Sequence, residues 1–328
     1  MTTEAKTREQ EPDLLSLVGM GQAFVAAYQT GLLEALLVTP GTAAELATRL
    51  GLNTRAVEVV LGVLRAGGLV KRTGETYRAT AGFSGMAQTI PGGLTGLFRL
   101  MEHTGTFLRT GEPMSRMDAG PAEREASYRA LAGGLGRMFA RAADALAEQL
   151  PLQPATILDV GCGSGVWSLA IAKRVPGARV TGLDFPGVLE ESFAPRAEEL
   201  GLADRIDKLP GDMHAVALPQ AAFDLVIIAN VLRLDPADRA RSLLLRLGQA
   251  VRPGGHLLVV DALAAGTRAA EMARASYALH LALRTAASKP HPPPVVRAWM
   301  AEAGVVDLTS VECDMRGGAL GALLGRRP

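Results

Sequence analysis

Apolar residues recur at helical spacing from Leu14 to Leu37, which predicts helix across that stretch. Thr42-Ala-Ala-Glu45 then has the form of a capping box. A hydroxyl there accepts from an amide of the first turn while a carboxylate reaches back, opening a short helix that ends near Leu50-Gly51. Asn53 or Thr54 can cap the next helix, Arg55 to Ala66. It runs into Gly67-Gly68-Leu69, after which two short alternating stretches flank a turn at Gly74 and predict a β wing ending near Ala79.

Helix, turn, helix, wing is a winged-helix pattern. From about Ile90 to Leu150 the text is helical but broken at Gly111-Glu-Pro113 and Gly120-Pro121, the form of a connector. Pro151 and Pro154 mark a boundary, beyond which strand-like and helix-like segments alternate. The predicted strands are Thr156–Val160, Arg179–Asp184, Ile206–Leu209, Phe223–Ala229, His256–Asp261, Val306–Asp314 and Ala319–Arg326. Such alternation predicts an α/β fold, a doubly wound and mainly parallel sheet. Arg316-Gly-Gly318 is short enough for a hairpin, so the last strand is expected to run antiparallel, at or near the edge. The expected organisation is a flexible terminus at 1–13, a winged-helix unit at 14–89, a helical connector at 90–150 and a ligand-binding α/β domain at 151–328.

Composition narrows the partners. The chain has 328 residues, enough for two cores, and a net charge of +1 that attracts neither nucleic acid nor an anionic membrane as a whole. A winged helix invites a DNA-binding reading, but between Asn53 and Gly67 the basic residues are Arg55 and Arg65 alone, amid Val57, Val59, Val60, Leu61, Val63 and Leu64. Little polar surface is left to read bases, and packing or dimerisation is the better use of that helix. Cys162 and Cys313 form neither a disulfide framework nor a metal-spaced pair, and no His-x-x-x-His occurs, so no metal is expected. No signal-like run and no membrane-length apolar stretch appears, which leads us to expect a soluble cytoplasmic protein with mobile first residues.

The chemistry concentrates in Asp159-Val-Gly161-Cys-Gly163-Ser-Gly165, which follows a predicted strand and opens the helix Val166–Arg174. Glycines there let backbone amides approach a ligand. Asp184 ends the next strand, where a carboxylate can accept both hydroxyls of a ribose. A dinucleotide fingerprint would space its glycines Gly-x-Gly-x-x-Gly around a pyrophosphate. Here the spacing is Gly-x-Gly-x-Gly, and Asp159 just ahead suits a ligand with an ammonium group, which favours S-adenosylmethionine.

With LDVGCGSG at 158–165, VTGLDFPGV at 180–188, PGDM at 210–213, FDLVIIANVL at 223–232 and RPGGHLLVVDAL at 252–263, the chain resembles a known family over nearly its whole length. These are the small-molecule O-methyltransferases that join a winged-helix dimerisation domain to a class I, Rossmann-like methyltransferase domain. The resemblance implies that Gly161 and Gly163 lie against the methionine end of S-adenosylmethionine, Asp184 holds the ribose, Asp212 reaches the adenine amino group and Met213 packs on the adenine ring. Asn230 faces the same crevice by position. It further implies a homodimer, a small aromatic or polyketide-like secondary metabolite as acceptor, and S-adenosylhomocysteine as product. Phe98, Met101, His103, Phe107, Met138 and Phe139 of the connector are expected to cover the crevice.

The sequence departs from the family at Asn230-Val-Leu-Arg233-Leu-Asp235. Many members carry at the position of Arg233 a histidine that deprotonates the acceptor hydroxyl. Arginine has donors only and cannot be that base, though it can stabilise an oxyanion. Three readings remain. The acceptor is acidic enough to ionise; another base acts, with His103, His280 and Asp261 as candidates; or the reaction is a cyclisation or decarboxylation in which no methyl moves. Ser288-Lys-Pro-His291-Pro-Pro-Pro294 is a second departure and reads as an extended linker before a helix over Val295–Ala303, with His291 a possible rim residue.

Overall fold

A computed structural model describes residues 13–89, 92–311 and 319–328. The chain divides into two compact units, Met1–Gln88 and Thr89–Pro328.

The first unit contains α1 (Leu14–Gln29), α2 (Leu32–Val38), α3 (Ala43–Leu50), α4 (Thr54–Ala66), β1 (Val70–Thr73) and β2 (Thr76–Ala79), with α5 (Ala81–Thr89) following. The continuous helix expected over 14–37 is two helices, because Gly31 adopts φ +75° and turns the chain between them. Thr42 and Glu45 form the capping box, with the Glu45 amide donating to Thr42 Oγ1 at 3.2 Å and the Thr42 amide to Glu45 Oε2 at 2.7 Å. Asn53 caps α4 by accepting from the Ala56 amide. β1 and β2 pair antiparallel as the wing, and the core of the unit is Leu33, Leu46, Leu61 and Leu64. Leu14, Leu15, Leu17 and Val18 of α1 are exposed.

The second unit opens with α6 (Gly93–Glu102), α7 (Thr104–Thr110) and the long α8 (Pro121–Gln149). Gly111 in a left-handed conformation ends α7, and Pro121 starts α8 at a position that needs no amide. Then follow β3 (Thr156–Val160), α9 (Val166–Arg174), β4 (Arg179–Asp184), α10 (Pro186–Val188), a π-helical turn at Leu189–Phe193, α11 (Ala194–Glu199), β5 (Ile206–Pro210) and β6 (Phe223–Ala229). The unit closes with α12 (Ala237–Ala250), β7 (Val251–Asp261), α13 (Arg268–Ala282), α14 (Pro293–Glu302), β8 (Val306–Val311) and β9 (Gly321–Arg326).

The seven strands take the order β5-β4-β3-β6-β7-β9-β8. β3 to β7 are parallel, and β9 runs antiparallel between β7 and β8. The last strand is therefore one in from the edge, and β8 is the edge. Side chains alternate across the sheet. Ile157, Ile227 and Leu258 pack under α8 and α9, whereas Leu158, Val226 and Leu257 pack against α12 and α14. β7 begins at Val251, earlier than expected, because Val251 pairs with Phe223 ahead of a register shift. α14 starts inside the proline run, with Pro292 as N-cap and Pro293 at N1. The predicted end of the eighth strand, Cys313 and the Arg316-Gly-Gly318 hairpin lie outside the described residues, as do the first twelve. No helix among the described residues is long and apolar enough to cross a membrane.

Candidate functional site

The order of strands reverses between β3 and β6, and ligands of open α/β sheets bind at such a crevice beyond the carboxyl ends of the strands. The Gly161–Gly165 loop fills this position. The amides of Gly161 and Cys162 both donate to the Leu183 carbonyl, at 2.8 and 3.2 Å, tying the loop to β4. Gly161 adopts φ +65°, and a Cβ there would lie 2.7 Å from Val231 Cγ2, so a side chain is excluded on both counts. Asp184 Oδ2 accepts from the Gly163 amide at 2.8 Å and Oδ1 from the Phe185 amide at 2.8 Å. Each oxygen retains a second lone pair for a ligand hydroxyl. Burial pushes the Asp184 pKa up to about 6 against the pull of those two amides.

The loop, the ends of β4 to β6 and α8 line a cleft whose walls are mainly apolar with a few polar groups, the make-up typical of small-molecule sites. Gly161, Gly163, Asp184, Asp212, Met213 and Asn230 all border it. Asp212 also accepts from the His214 amide at 2.9 Å, which shapes its turn. Asp159 is placed differently. It is 1% exposed, does not border the cleft, and accepts from Ser168 Oγ at 2.5 Å, fastening β3 to the first turn of α9. Burial raises its pKa to about 7.

The opposite wall of the cleft is α8, through Arg124, Tyr128, Ala132, Leu135, Gly136 and Phe139. At Gly136 the helix backbone meets the loop, where a Cβ would fall 2.2 Å from Ser164 Oγ. Glu125 Oε1 accepts from the Gly187 amide at 2.8 Å, and Arg129 pairs with Glu191, so the first half of α8 is latched to the segment after β4. Of the connector residues expected to cover the crevice, Phe139 alone borders this cleft. Residues 124, 128, 132, 135, 136 and 139 share one face of the helix.

None of the four catalytic candidates borders the cleft. His103 stands between α6 and α7 with Nε2 3.0 Å from the Glu112 carbonyl. Arg233 is buried. Its Nη1 donates to Asp261 Oδ1 at 3.0 Å and to Asn230 Oδ1 at 2.8 Å, and its Nε donates to the Tyr277 hydroxyl at 2.8 Å. Burial opposes the charge, but Tyr277 and Asp261 outweigh it and the pKa stands above the usual arginine value. Asp261, paired in this way, also accepts from the Ala262 amide at 2.6 Å. His280 lies 6.2 Å from Tyr277 by ring centroids, and burial together with Arg284 lowers its pKa to about 4. His291 is buried against the carbonyls of Leu232 and Asp235 and the edge of Trp299.

Sequence reasoning missed a second polar group. Asp235 is fully buried, with Oδ2 2.7 Å from His214 Nε2 and Oδ1 accepting from Arg124 at 3.3 Å. Burial pushes its pKa up, and His214 and Arg124 bring it below the ordinary value. Among the described residues no cluster of three or more His, Cys, Asp or Glu is arranged to hold a metal.

The O-methyltransferase domain family matches residues 125–292, from α8 through the site to the start of α14. Tetracenomycin polyketide synthesis 8-O-methyl transferase of Streptomyces glaucescens is 27% identical over 322 residues, 94% of this chain and 93% of that protein. The 3-hydroxy-5-methyl-1-naphthoate 3-O-methyltransferase of Streptomyces sahachiroi is 29% identical over 274 residues, 77% of each. Human N-acetylserotonin methyltransferase, solved with S-adenosylmethionine, superposes at a TM-score of 0.63 with 20% identity, over 97% of this chain and 99% of that one, and thus shares the fold.

Proposed function

The chain belongs to the O-methyltransferase domain family, and from that premise we propose that it methylates a hydroxyl of a small aromatic or polyketide-like secondary metabolite. It is an S-adenosylmethionine-dependent methyltransferase. The observation that carries the reading is Asp184, a carboxylate anchored to the Gly163 amide with lone pairs to spare at the border of a cleft closed by α8. Asp184 would hold the ribose, Gly161 and Gly163 the methionine end, Asp212 the adenine amino group and Met213 the adenine ring. When bound, S-adenosylmethionine supplies an electrophilic methyl on a sulfonium and leaves as S-adenosylhomocysteine.

Proximity and orientation then do most of the work. Among the described residues no imidazole borders the cleft, which supports an acceptor hydroxyl acidic enough to ionise without a strong base. In this reading Arg233 is a positioning residue, holding Asn230 at the cleft through its Nη1. The test is incubation with labelled cofactor and hydroxylated naphthoates or polyketide phenols. S-adenosylhomocysteine should form in step with methylated product; product without it would mean a cyclisation or decarboxylation.

The N-terminal unit we read as a dimerisation platform, in a cytoplasmic homodimer. Support comes from exposed Leu14, Leu15 and Leu17 on α1 and Val59 on α4, where a DNA reader would carry basic and polar groups.

A further inference from the structure

The long helix α8 approaches the glycine loop twice. At Gly136 a Cβ would fall 2.2 Å from Ser164 Oγ, and one turn earlier a Cβ on Gly163 would lie 3.7 Å from that of Ala132. Each further turn toward the helix start advances about 5.4 Å, so Tyr128 and then Arg124 stand beyond the loop on the same face. Arg124 fixes where that half of the cleft lies. Its Nη1 and Nη2 both donate to Asp235 Oδ1 at 3.3 Å, and Asp235 directly follows Leu234, which borders the cleft with Asn230 and Val231. The first turns of α8 therefore face the end of β6 across the cleft.

Two donors there are incomplete. Tyr128 borders the cleft, half-buried, and its hydroxyl has no hydrogen-bond partner among the described residues. A hydroxyl so placed in a mainly apolar wall is one that a ligand completes. Burial raises its pKa above the ordinary value, so it keeps its proton and donates. Arg124 is the one cation among the described residues that borders the cleft, with its side chain 16% exposed. Two of its five N–H groups go to Asp235, and the others meet no acceptor among the described residues. Nor does Asp235 cancel its charge, because the same carboxylate serves Arg239 at 3.9 Å and His214 at 2.7 Å.

We propose that Tyr128 and Arg124 bind the acceptor oxygen as an anion, two donors one helical turn apart that favour phenolate over phenol and so take the place of a base. This rests on reading the cleft as the site of methyl transfer to a hydroxyl, and it says how that hydroxyl ionises. The hydroxyl proton passes to solvent water, and the phenolate lone pair forms the bond to the methyl carbon as the carbon-sulfur bond breaks. The apolar wall strengthens both hydrogen bonds relative to water.

The test uses the full chain saturated with S-adenosylhomocysteine, so that no sulfonium contributes, and 2-naphthol as the probe. The naphtholate absorbs at longer wavelength than the naphthol, so the ionised fraction of bound probe is read between about pH 7 and pH 10, where Arg124 stays charged. The bound probe is expected to titrate about one unit or more below the free probe, a preference of about tenfold for the phenolate. Tyr128→Phe, which removes only the hydroxyl, and Arg124→Met should each return part of that shift. Arg124→Lys keeps the charge and should retain more of the shift than Arg124→Met. A purely structural role would change stability and leave the titration where it was. A bound probe that titrates at or above the free value, a shift left intact by Tyr128→Phe or by Arg124→Met, or no binding at millimolar concentration would each overturn the proposal. Affinity for S-adenosylhomocysteine, measured on each variant, reports that the cofactor site persists. If the unmodified chain fails to bind S-adenosylhomocysteine, the methyltransferase reading falls instead, so the two failures are distinct.

Discussion

Asp184 is both a brace for the glycine loop and the proposed ribose anchor, and the two tasks share one ionisation state. Replacing it with alanine should weaken S-adenosylmethionine binding by about 10- to 100-fold in calorimetry, the range for hydrogen bonds to a charged group. Its pKa, raised to about 6, sets the pH window. Above that value the carboxylate is free to accept ribose hydroxyls; below it a proton must be displaced, so affinity should fall as pH drops from 7 to 5. Asp159, raised to about 7 by burial, gives a different signature, in stability. The folded state then holds more protons than the unfolded state between the ordinary carboxylate range and pH 7, so this group's stabilising contribution is lost as pH rises through that window. Asp159→Asn removes the dependence, and its melting temperature should gain on the unmodified chain more at pH 8 than at pH 5. Arg233→Met strands the Asp261 carboxylate in the interior and should cost about 3–5 kcal/mol in urea denaturation. The positions of Asp184 and of the glycines were legible from their spacing. The pairing of Arg233 was not, because Asp261 and Tyr277 lie 28 and 44 residues away and nothing local marks them. Nor could the sequence separate an Asp159 facing the ligand from one buried behind the loop.

Elements were legible where periodicity was strong and single-valued. β6 reads Phe-Asp-Leu-Val-Ile-Ile-Ala and is buried throughout, as a central parallel strand must be. α8 was legible as a helix but not in its orientation, since its many alanines and glycines give the 29-residue helix no sharp apolar stripe. Ala132 and Gly136 are small where the helix meets the loop. The π-helical turn at Leu189–Phe193 leaves no local sequence signal, and it seats Phe193 in the core. The loop itself can be tested as an element. Gly161→Ala imposes a side chain at φ +65° and sets it against Val231, so cofactor binding should be lost together with about 1–3 kcal/mol of stability. Val231→Ala in the same chain should recover only the steric part, and full recovery would show that backbone strain is unimportant there.

At the scale of the molecule, alternation of strand and helix sufficed for the doubly wound class, while the place of β9 required the pairing itself. The proposed dimer belongs to this scale. Leu14→Glu with Leu15→Glu adds charge to an exposed apolar face and should shift sedimentation from dimer to monomer without lowering S-adenosylmethionine affinity; a monomeric parent chain would remove the proposal. The strand order also governs how the protein can be made. β7 and β8 meet only through β9, which follows both in sequence. A nascent chain that has already laid down β3 to β7 therefore presents an open row of amides and carbonyls along β7 until β9 emerges, with β8 unable to cover it. The interval between those two moments is when the chain is most exposed to edge-to-edge association, and translation speed across residues 262–326 should affect its soluble yield more than speed anywhere upstream.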